Sequence, residues 1–443
     1  MPSTSGSVPP SQPPATPTRA GDGTPRHVVV IGAGIIGAAS AVELLRDGHR
    51  VTVVEPGDPG GPQGASYGNG CWLSVQSVIP PSGPGLWRKV PGFLRDPLGP
   101  LAIRWRYLPR VAPWLARYLL AGWTEARVAR TAAALQPLLA DGPALHRALA
   151  AEAGVEHLIH RNGDLYIYPD RAAFEAEAMS WRIRRALGIR WIELSAEELH
   201  QREPELSRTY SFGALVEAGG HCSDPGALVA ALVRHAEGQG ATLRRTRATG
   251  FRFEGDRLRA VRTEVGEIPC DAAVIAAGAY AKTLAAAAGD RVPLESERGY
   301  HAVLRDPEVS PRLPLMPSDG KMAITPTAGG LRCSGQVEIA GLAAAPDWRR
   351  AQILRDHLLR AFPALPRDLP ADRVEVWMGH RPSTPDGLPV IARSRRSPDV
   401  VHAFGHGHVG LVSGPRTGRL VAQLLGGRAP EVPVEPFRAS RFR

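Results

Sequence analysis

Three glycines, Gly32, Gly34 and Gly37, stand between a β-branched run and an Ala/Leu-rich stretch, in the hexapeptide Gly32-Ala33-Gly34-Ile35-Ile36-Gly37. This spacing suits a dinucleotide. The first glycine permits a tight turn, the second lets the backbone approach a pyrophosphate, and the third permits close packing of a helix on a strand. Free N–H groups at the start of that helix then face the phosphate. Glu55 lies 23 residues after Gly32. Its carboxylate can accept both hydroxyls of an adenosine ribose and would repel a 2′-phosphate, which disfavours NADP.

These residues need a strand, a turn and a helix to position them. His27-Val-Val-Val-Ile31 reads as the strand and the stretch to Asp47 as the helix. Arg50-Val-Thr-Val-Val54 follows Gly48 as a second strand ending at Glu55. A NAD dehydrogenase would continue with alternating strands and helices. This chain instead enters a Gly/Pro-rich loop, GDPGGPQGASYGNGC, at residues 57–71.

The segment GASYGNG at 64–70 resembles the flavin-contacting segment of the FAD-dependent D-amino acid oxidase/dehydrogenase superfamily. Four later segments agree, in the family's order. Gly220-His-Cys-Ser-Asp-Pro-Gly-Ala-Leu-Val229 resembles the entry to a long helix, here Pro225 to Gly238. Asp271-Ala-Ala-Val-Ile-Ala-Ala-Gly-Ala-Tyr280 resembles the strand and turn that return the chain to the FAD domain. Arg298-Gly-Tyr-His301 resembles the opening of the substrate domain's second half. Gly379-His-Arg-Pro-Ser-Thr-Pro-Asp-Gly-Leu-Pro-Val-Ile391, with Phe404-Gly-His-Gly-His-Val-Gly-Leu411, resembles the C-terminal signature. The segment from Asp96 to Tyr107, leading into Trp114–Leu120, resembles one that D-amino acid dehydrogenases carry and glycine oxidase lacks. The wording of the C-terminal signature is also similar to bacterial D-hydroxyproline dehydrogenases.

The resemblance implies an α/β plus α+β fold: a discontinuous, Rossmann-like FAD-binding domain (26–76, 219–290 and 376–430) and a substrate domain on a mostly antiparallel sheet (77–218 and 291–375). Residues 1–25 are expected to be a disordered tail and 431–443 a C-terminal tail. Residues 124–153 and 171–188 read as helices from their Ala, Leu and charge spacing. Strands are expected at 163–168, 323–327, 330–333 and 373–378.

The implied chemistry is oxidation of a D-amino acid, for which a cyclic amine such as D-proline or cis-4-hydroxy-D-proline is a plausible substrate. Hydride leaves Cα for flavin N5, and electrons pass on to a quinone or another carrier. An oxidase of glycine, sarcosine or D-amino acids using oxygen is the second reading, and a non-catalytic flavin subunit of an amine dehydrogenase the third. A substrate carboxylate needs a fixed cation, and a guanidinium suits it. Arg381 matches the family's carboxylate-binding arginine, which a non-catalytic subunit would not need. Tyr300 is either a second donor to that carboxylate or a core tyrosine with a satisfied hydroxyl. His408 either contacts substrate or stands behind the site. His406, Gly407, Val409, Gly410 and Leu411 are expected to offer backbone N–H groups to flavin N1 and O2, aided by a helix beginning near Pro415. Ala65, Ser66, Asn69, Gly70 and Cys71 are expected at the pyrophosphate or isoalloxazine, Ala277 and Gly278 at the cofactor, and Ala248 at adenine. FAD is expected to be bound non-covalently, and no metal is expected.

Composition narrows the rest. The chain has 443 residues and a net charge of +10, carried almost wholly by arginine, with three lysines, Lys89, Lys282 and Lys321. The arginines form no sustained run, so nucleic acid is not an expected partner. The four cysteines are far apart, which suggests neither a zinc site nor a disulfide framework and fits a reducing cytoplasm. The Trp- and Arg-rich stretch 86–118 either rests peripherally on an anionic membrane, at the cytoplasmic face of the inner membrane, or packs as a helical flank of the substrate domain.

Overall fold

The computed structural model describes residues 24–96, 98–99 and 101–443, so the expected tail lies, apart from residues 24 and 25, outside the described residues. In chain order the elements that build the site begin with β1 (His27–Ile31), α1 (Ile35–Arg46) and β2 (Arg50–Val54). Then come α2 (Leu108–Ala121), β3 (Asp164–Tyr168), β4 (Phe212–Val216), α3 (Pro225–Gly238), β5 (Thr242–Arg244) and β6 (Ala272–Ile275). The last are β7 (Glu295–Leu304), β8 (Leu315–Pro317), β9 (Ala323–Thr327), β10 (Gly330–Ile339), β11 (Val374–Ser383), β12 (Val390–Arg393), β13 (Val400–Phe404) and α4 (Gly410–Leu425).

Six strands form one sheet in the order β12-β13-β6-β1-β2-β5, parallel except for the β12–β13 pair. The inner strands are Val/Ile/Ala runs buried along almost their whole length, as expected of a sheet covered on both faces. Helices α1, α3 and α4 pack on one face in a shared apolar core. Asp224 caps α3 by accepting from the Ala227 N–H, and Pro225 occupies the first turn. Gly414 and Gly418 of α4 meet α1 so closely that a Cβ at 418 would lie 2.8 Å from the Ala39 carbonyl.

The second sheet has nine strands. Its path is β11-β7-β10-β9-β8-β3-β4 and then Ile192–Leu194, while Leu101–Ile103 pairs with β10. It is antiparallel apart from the β3–β8 pair and the Leu101–Ile103 pair. The architecture is thus the expected α/β plus α+β combination of a nucleotide sheet and a mostly antiparallel sheet.

Several expected boundaries move. The stretch 124–153 is two helices, Glu125–Leu139 and Gly142–Glu152, broken where Asp141 takes φ +59°. Likewise 171–188 divides into Arg171–Glu175 and Ala178–Ala186. The boundary placed at 376 falls inside β11, which pairs with β7 along its whole length. Residues 431–443 are docked rather than free: Phe437 is fully buried, and Arg441 pairs with Asp386 at 2.7 Å.

Candidate functional site

A cavity of about 1560 Å³ runs from the carboxyl ends of β1 and β2 to the wall formed by β7, β10 and β11. That exceeds the roughly 300–1000 Å³ of a site for one drug-sized molecule, and so leaves room for a dinucleotide and a substrate together.

At the sheet end the glycines do separate work. Gly32 has φ +104°, and a Cβ there would lie 2.5 Å from the Ala276 carbonyl oxygen. A Cβ on Gly37 would lie 1.8 Å from the Gly32 carbonyl oxygen, so Gly37 serves packing and does not line the cavity. Gly34 and the start of α1, Ile35 and Ile36, line the cavity. Two expected ligand residues also brace the loops. The Glu55 carboxylate accepts from the Ala33 N–H (2.9 Å) and the Gly57 N–H (3.1 Å), and Ser66 Oγ accepts from the Ile35 N–H (3.1 Å). Both still face the cavity, as do Ala33, Ala65, Asn69, Gly70, Ala248, Ala277 and Gly278. Helix-start N–H groups, a carboxylate and flanking small residues fit the pyrophosphate, ribose and adenine of FAD.

Cys71 is corrected. It is fully buried with φ +71°, its thiol lies 3.3 Å from an Arg332 nitrogen, and it does not line the cavity.

At the other end the strand register places Arg381 opposite Glu297. The Arg381 guanidinium donates to the Gln336 carbonyl (2.9 Å) and the Gly335 carbonyl (3.3 Å), both on β10. It lies over Gly299, where a Cβ would approach its nitrogen to 2.3 Å. The glycine in Arg298-Gly-Tyr-His301 therefore makes room for the arginine. Trp377 similarly covers Gly68 and Gly379 and stacks on His301 at 5.1 Å between ring centres.

Tyr300 takes the second of its two expected roles. It is 1% exposed, its hydroxyl donates to Glu338 (2.7 Å) and accepts from the Asp347 N–H (3.0 Å), and it faces the apolar core rather than the cavity. Strand alternation is the reason: Glu297 and Gly299 take the cavity face of β7 and Tyr300 points to the other, while Glu295 and Ser296 both line the cavity where the strand begins.

The loop before α4 brings His406, Gly407, His408, Gly410 and Leu411 to the cavity. His408 lines the cavity, and desolvation by the surrounding walls, then the Arg381 charge, push its pKa down to about 4. His406 is buried and shares a hydrogen bond with the Thr417 hydroxyl at 3.1 Å. Two of the expected donors are already spent: the Gly407 N–H goes to the Pro382 carbonyl (2.8 Å) and the Val409 N–H to the His406 carbonyl (3.0 Å). Val409 does not line the cavity and packs in an apolar cluster. The helix begins at Gly410, five residues before the expected start, so its positive end sits at the cavity wall.

Sequence reasoning missed Glu295, Glu297 and Gln336, and also Tyr107 and Arg110 from the Trp/Arg-rich flank. Period-two spacing from Gly299 back to Glu297 and Glu295 was the available signal. Tyr107 donates to Glu295 at 3.0 Å, tying the flank to the cavity wall.

Comparison with known proteins agrees with this geometry. The family described as FAD dependent oxidoreductase (DAO) matches residues 27–424. A protein of Bradyrhizobium diazoefficiens named D-amino-acid oxidase is 60% identical over 417 residues, covering 94% of this chain and 99% of the relative. D-amino acid dehydrogenase 2 of Ralstonia nicotianae is 33% identical, covering 94% and 100%. Among solved structures, glycine oxidase from Geobacillus kaustophilus superposes with a TM-score of 0.72 at 23% identity, covering 94% of this chain and 98% of that one. L-proline dehydrogenase from P. horikoshii gives 0.70 at 22%, covering 94% and 98%. With the family match spanning residues 27–424 and a relative 60% identical over 94% of its length, the chain belongs to the DAO family of FAD-dependent oxidoreductases.

Proposed function

We propose that this protein oxidises a D-amino acid, binding the substrate carboxylate at Arg381 and presenting its Cα–H to FAD. FAD supplies the hydride acceptor, and the imine formed is released for hydrolysis, or as a cyclic imine if the nitrogen is in a ring. The observation that carries this reading is Arg381. It is a cation in the cavity wall whose hydrogen-bond partners are two neutral carbonyls, with no salt bridge to a carboxylate among the described residues. The names of the 60% and 33% identical relatives support a D-amino acid as the substrate class.

The expected acceptor is a quinone or another carrier, a reading supported by the relatives named D-amino acid dehydrogenase. Oxygen is the second reading, favoured by the relative named an oxidase at 60% identity. Peripheral contact with an anionic membrane belongs to the first reading. Trp87, Trp105, Leu120 and Trp123 are exposed beside Arg88, Arg106, Arg110 and Arg117, while Val111, Trp114 and Tyr118 pack α2 onto Ile103 and Ile339. The segment is therefore a packed flank with an aromatic and basic outer face. Among the described residues no helix is long and apolar enough to cross a membrane.

The test is anaerobic bleaching of the flavin across D- and L-amino acids, D-proline and cis-4-hydroxy-D-proline included. Bleaching by D-isomers is expected. A flavin unaffected by every amino acid would refute the reading, and stoichiometric hydrogen peroxide in air would decide for oxygen.

A further inference from the structure

Glu297 and Arg381 are direct cross-strand partners on β7 and β11, so their side chains leave the sheet on one face, and both line the cavity. Glu297 is only 7% exposed. Buried acids are normally paired, yet among the described residues no salt bridge within 4 Å joins Glu297 to any cation, and Arg381 is held by carbonyls. A cation and an anion thus stand in register on one wall without contact. An α-amino acid carries the complementary pair on a single carbon.

We propose that Glu297 is a catalytic residue that holds the substrate's amino group and accepts its proton, so that Arg381 and Glu297 together clamp the zwitterion. This rests on the reading that an α-amino acid is the substrate. In the step, one N–H bond of the substrate ammonium breaks, its proton moves to a Glu297 carboxylate oxygen, and the electron pair stays on nitrogen. The neutral amine left behind is the form that can lose hydride from Cα to the family's FAD.

The groups facing Glu297 allow this. They are Arg381 and the Ser383 hydroxyl on β11, Glu295 on its own strand, Tyr118 on α2, and Asp386 and His408 from the flanking loops. Burial raises the Glu297 carboxyl above its ordinary value, while Arg381 and Ser383 hold it down. Burial is the larger of these effects, so the Glu297 carboxyl holds a proton more readily than an ordinary glutamate does, as a group that takes one from an ammonium must.

The first test uses two unreactive probes: 2-aminoisobutyrate, which lacks a Cα–H, and isobutyrate, which has hydrogen in place of the amine and so no nitrogen lone pair to drive hydride loss. Binding to the FAD-loaded protein is read by calorimetry. Wild type is expected to prefer 2-aminoisobutyrate by about tenfold or more, from a charge-assisted hydrogen bond. Glu297→Gln is expected to abolish that preference while isobutyrate binding is kept or improved. A preference that survives in E297Q overturns the proposal.

The second test is the pH profile of kcat/KM. In wild type the acid limb reports protonation of Glu297. In E297Q only substrate already neutral in solution reacts, so kcat/KM should climb about tenfold per pH unit through the neutral range. Glu297→Asp should retain a wild-type limb, and it serves if E297Q fails to bind FAD. Profiles that coincide in all three proteins overturn the proposal while leaving the substrate reading intact. Failure of wild type to oxidise any α-amino acid would instead remove the reading on which it rests.

Discussion

Arg381 shows how much one side chain's surroundings decide its response to substitution. Lysine keeps the charge but has no planar fork, so Arg381→Lys gives up the bidentate grip and one of the two carbonyl bonds on β10. Hydrogen bonds to charged groups are worth about 1.5–3 kcal/mol. The substrate KM of R381K should therefore rise roughly tenfold to a hundredfold, with FAD content unchanged. Steady-state kinetics with a flavin spectrum check both. The motif made Arg381 legible in sequence, but Tyr300, three residues from Glu297 in the same strand, was not placed. A motif names residues, whereas the pleat decides which of them reach the cavity. Asp164 carried no sequence signal at all. It is fully buried, accepts from Gln76 at 2.8 Å, and has one oxygen without a hydrogen-bond partner among the described residues. Burial pushes its pKa up to about 8 from 3.8. The carboxyl is protonated when folded and ionised when unfolded across that window, so wild-type stability falls as pH rises from 3.8 towards 8. Asp164→Asn removes this dependence. The difference in unfolding free energy, variant minus wild type, read by denaturant titration, should become steadily more positive from pH 5 to pH 8, by at most roughly 1.4 kcal/mol per pH unit.

At the scale of elements, α4 contains the reason its start was misplaced. Proline ordinarily marks a first turn, and Pro415 was read that way, but the helix already begins at Gly410. Pro415 has no N–H to give the Leu411 carbonyl four residues back. His146, from the helix Gly142–Glu152, supplies the missing donor: its Nε2 lies 2.6 Å from the Leu411 oxygen. Sequence could not show this, because the two residues are 265 positions apart. The exchange lets a proline sit inside the helix whose first turn lines the cavity. His146→Leu should orphan that buried carbonyl and cost about 1–3 kcal/mol. In the double variant His146→Leu/Pro415→Ala the alanine N–H can bond Leu411 directly. Much of the loss should then be recovered, and denaturant titration of the four proteins gives the coupling. Strictly additive effects would show that His146 acts through packing alone. β1 and β2 of the nucleotide sheet, by contrast, were readable because each is a short buried β-branched run with turn residues following it.

For the whole molecule, the charge excess can now be given a location. Many arginines are in ion pairs with Asp or Glu, for example Arg257 with Asp399 and Arg395 with Asp290. Residues 86–124 differ: they hold seven basic residues and a single acid, Asp96. Of these, Arg104 pairs with Glu338 at 2.7 Å, whereas Arg88, Arg106, Arg110 and Arg117 have no salt bridge among the described residues. Arg88 lies over the exposed Trp87, whose ring stacks on that of Trp123 at 6.3 Å, and Trp105, 62% exposed, belongs to the same segment. Such a face suits a headgroup layer, where indole rings settle and each arginine near an anionic surface contributes about 1 kcal/mol. Tyr107 and Arg110 belong both to this flank and to the cavity wall, so a membrane contact there would hold the cavity near lipid-soluble acceptors. The FAD-loaded protein should therefore sediment with vesicles containing phosphatidylserine and be released by salt. Pure phosphatidylcholine should retain little of it. Reversing Arg106 and Arg117 to glutamate should lower partitioning by about thirtyfold or more, from loss of two such contributions, without altering bleaching by a soluble substrate. Equal binding to neutral and anionic vesicles, or none to either, would assign the aromatic face to a protein partner or to packing instead.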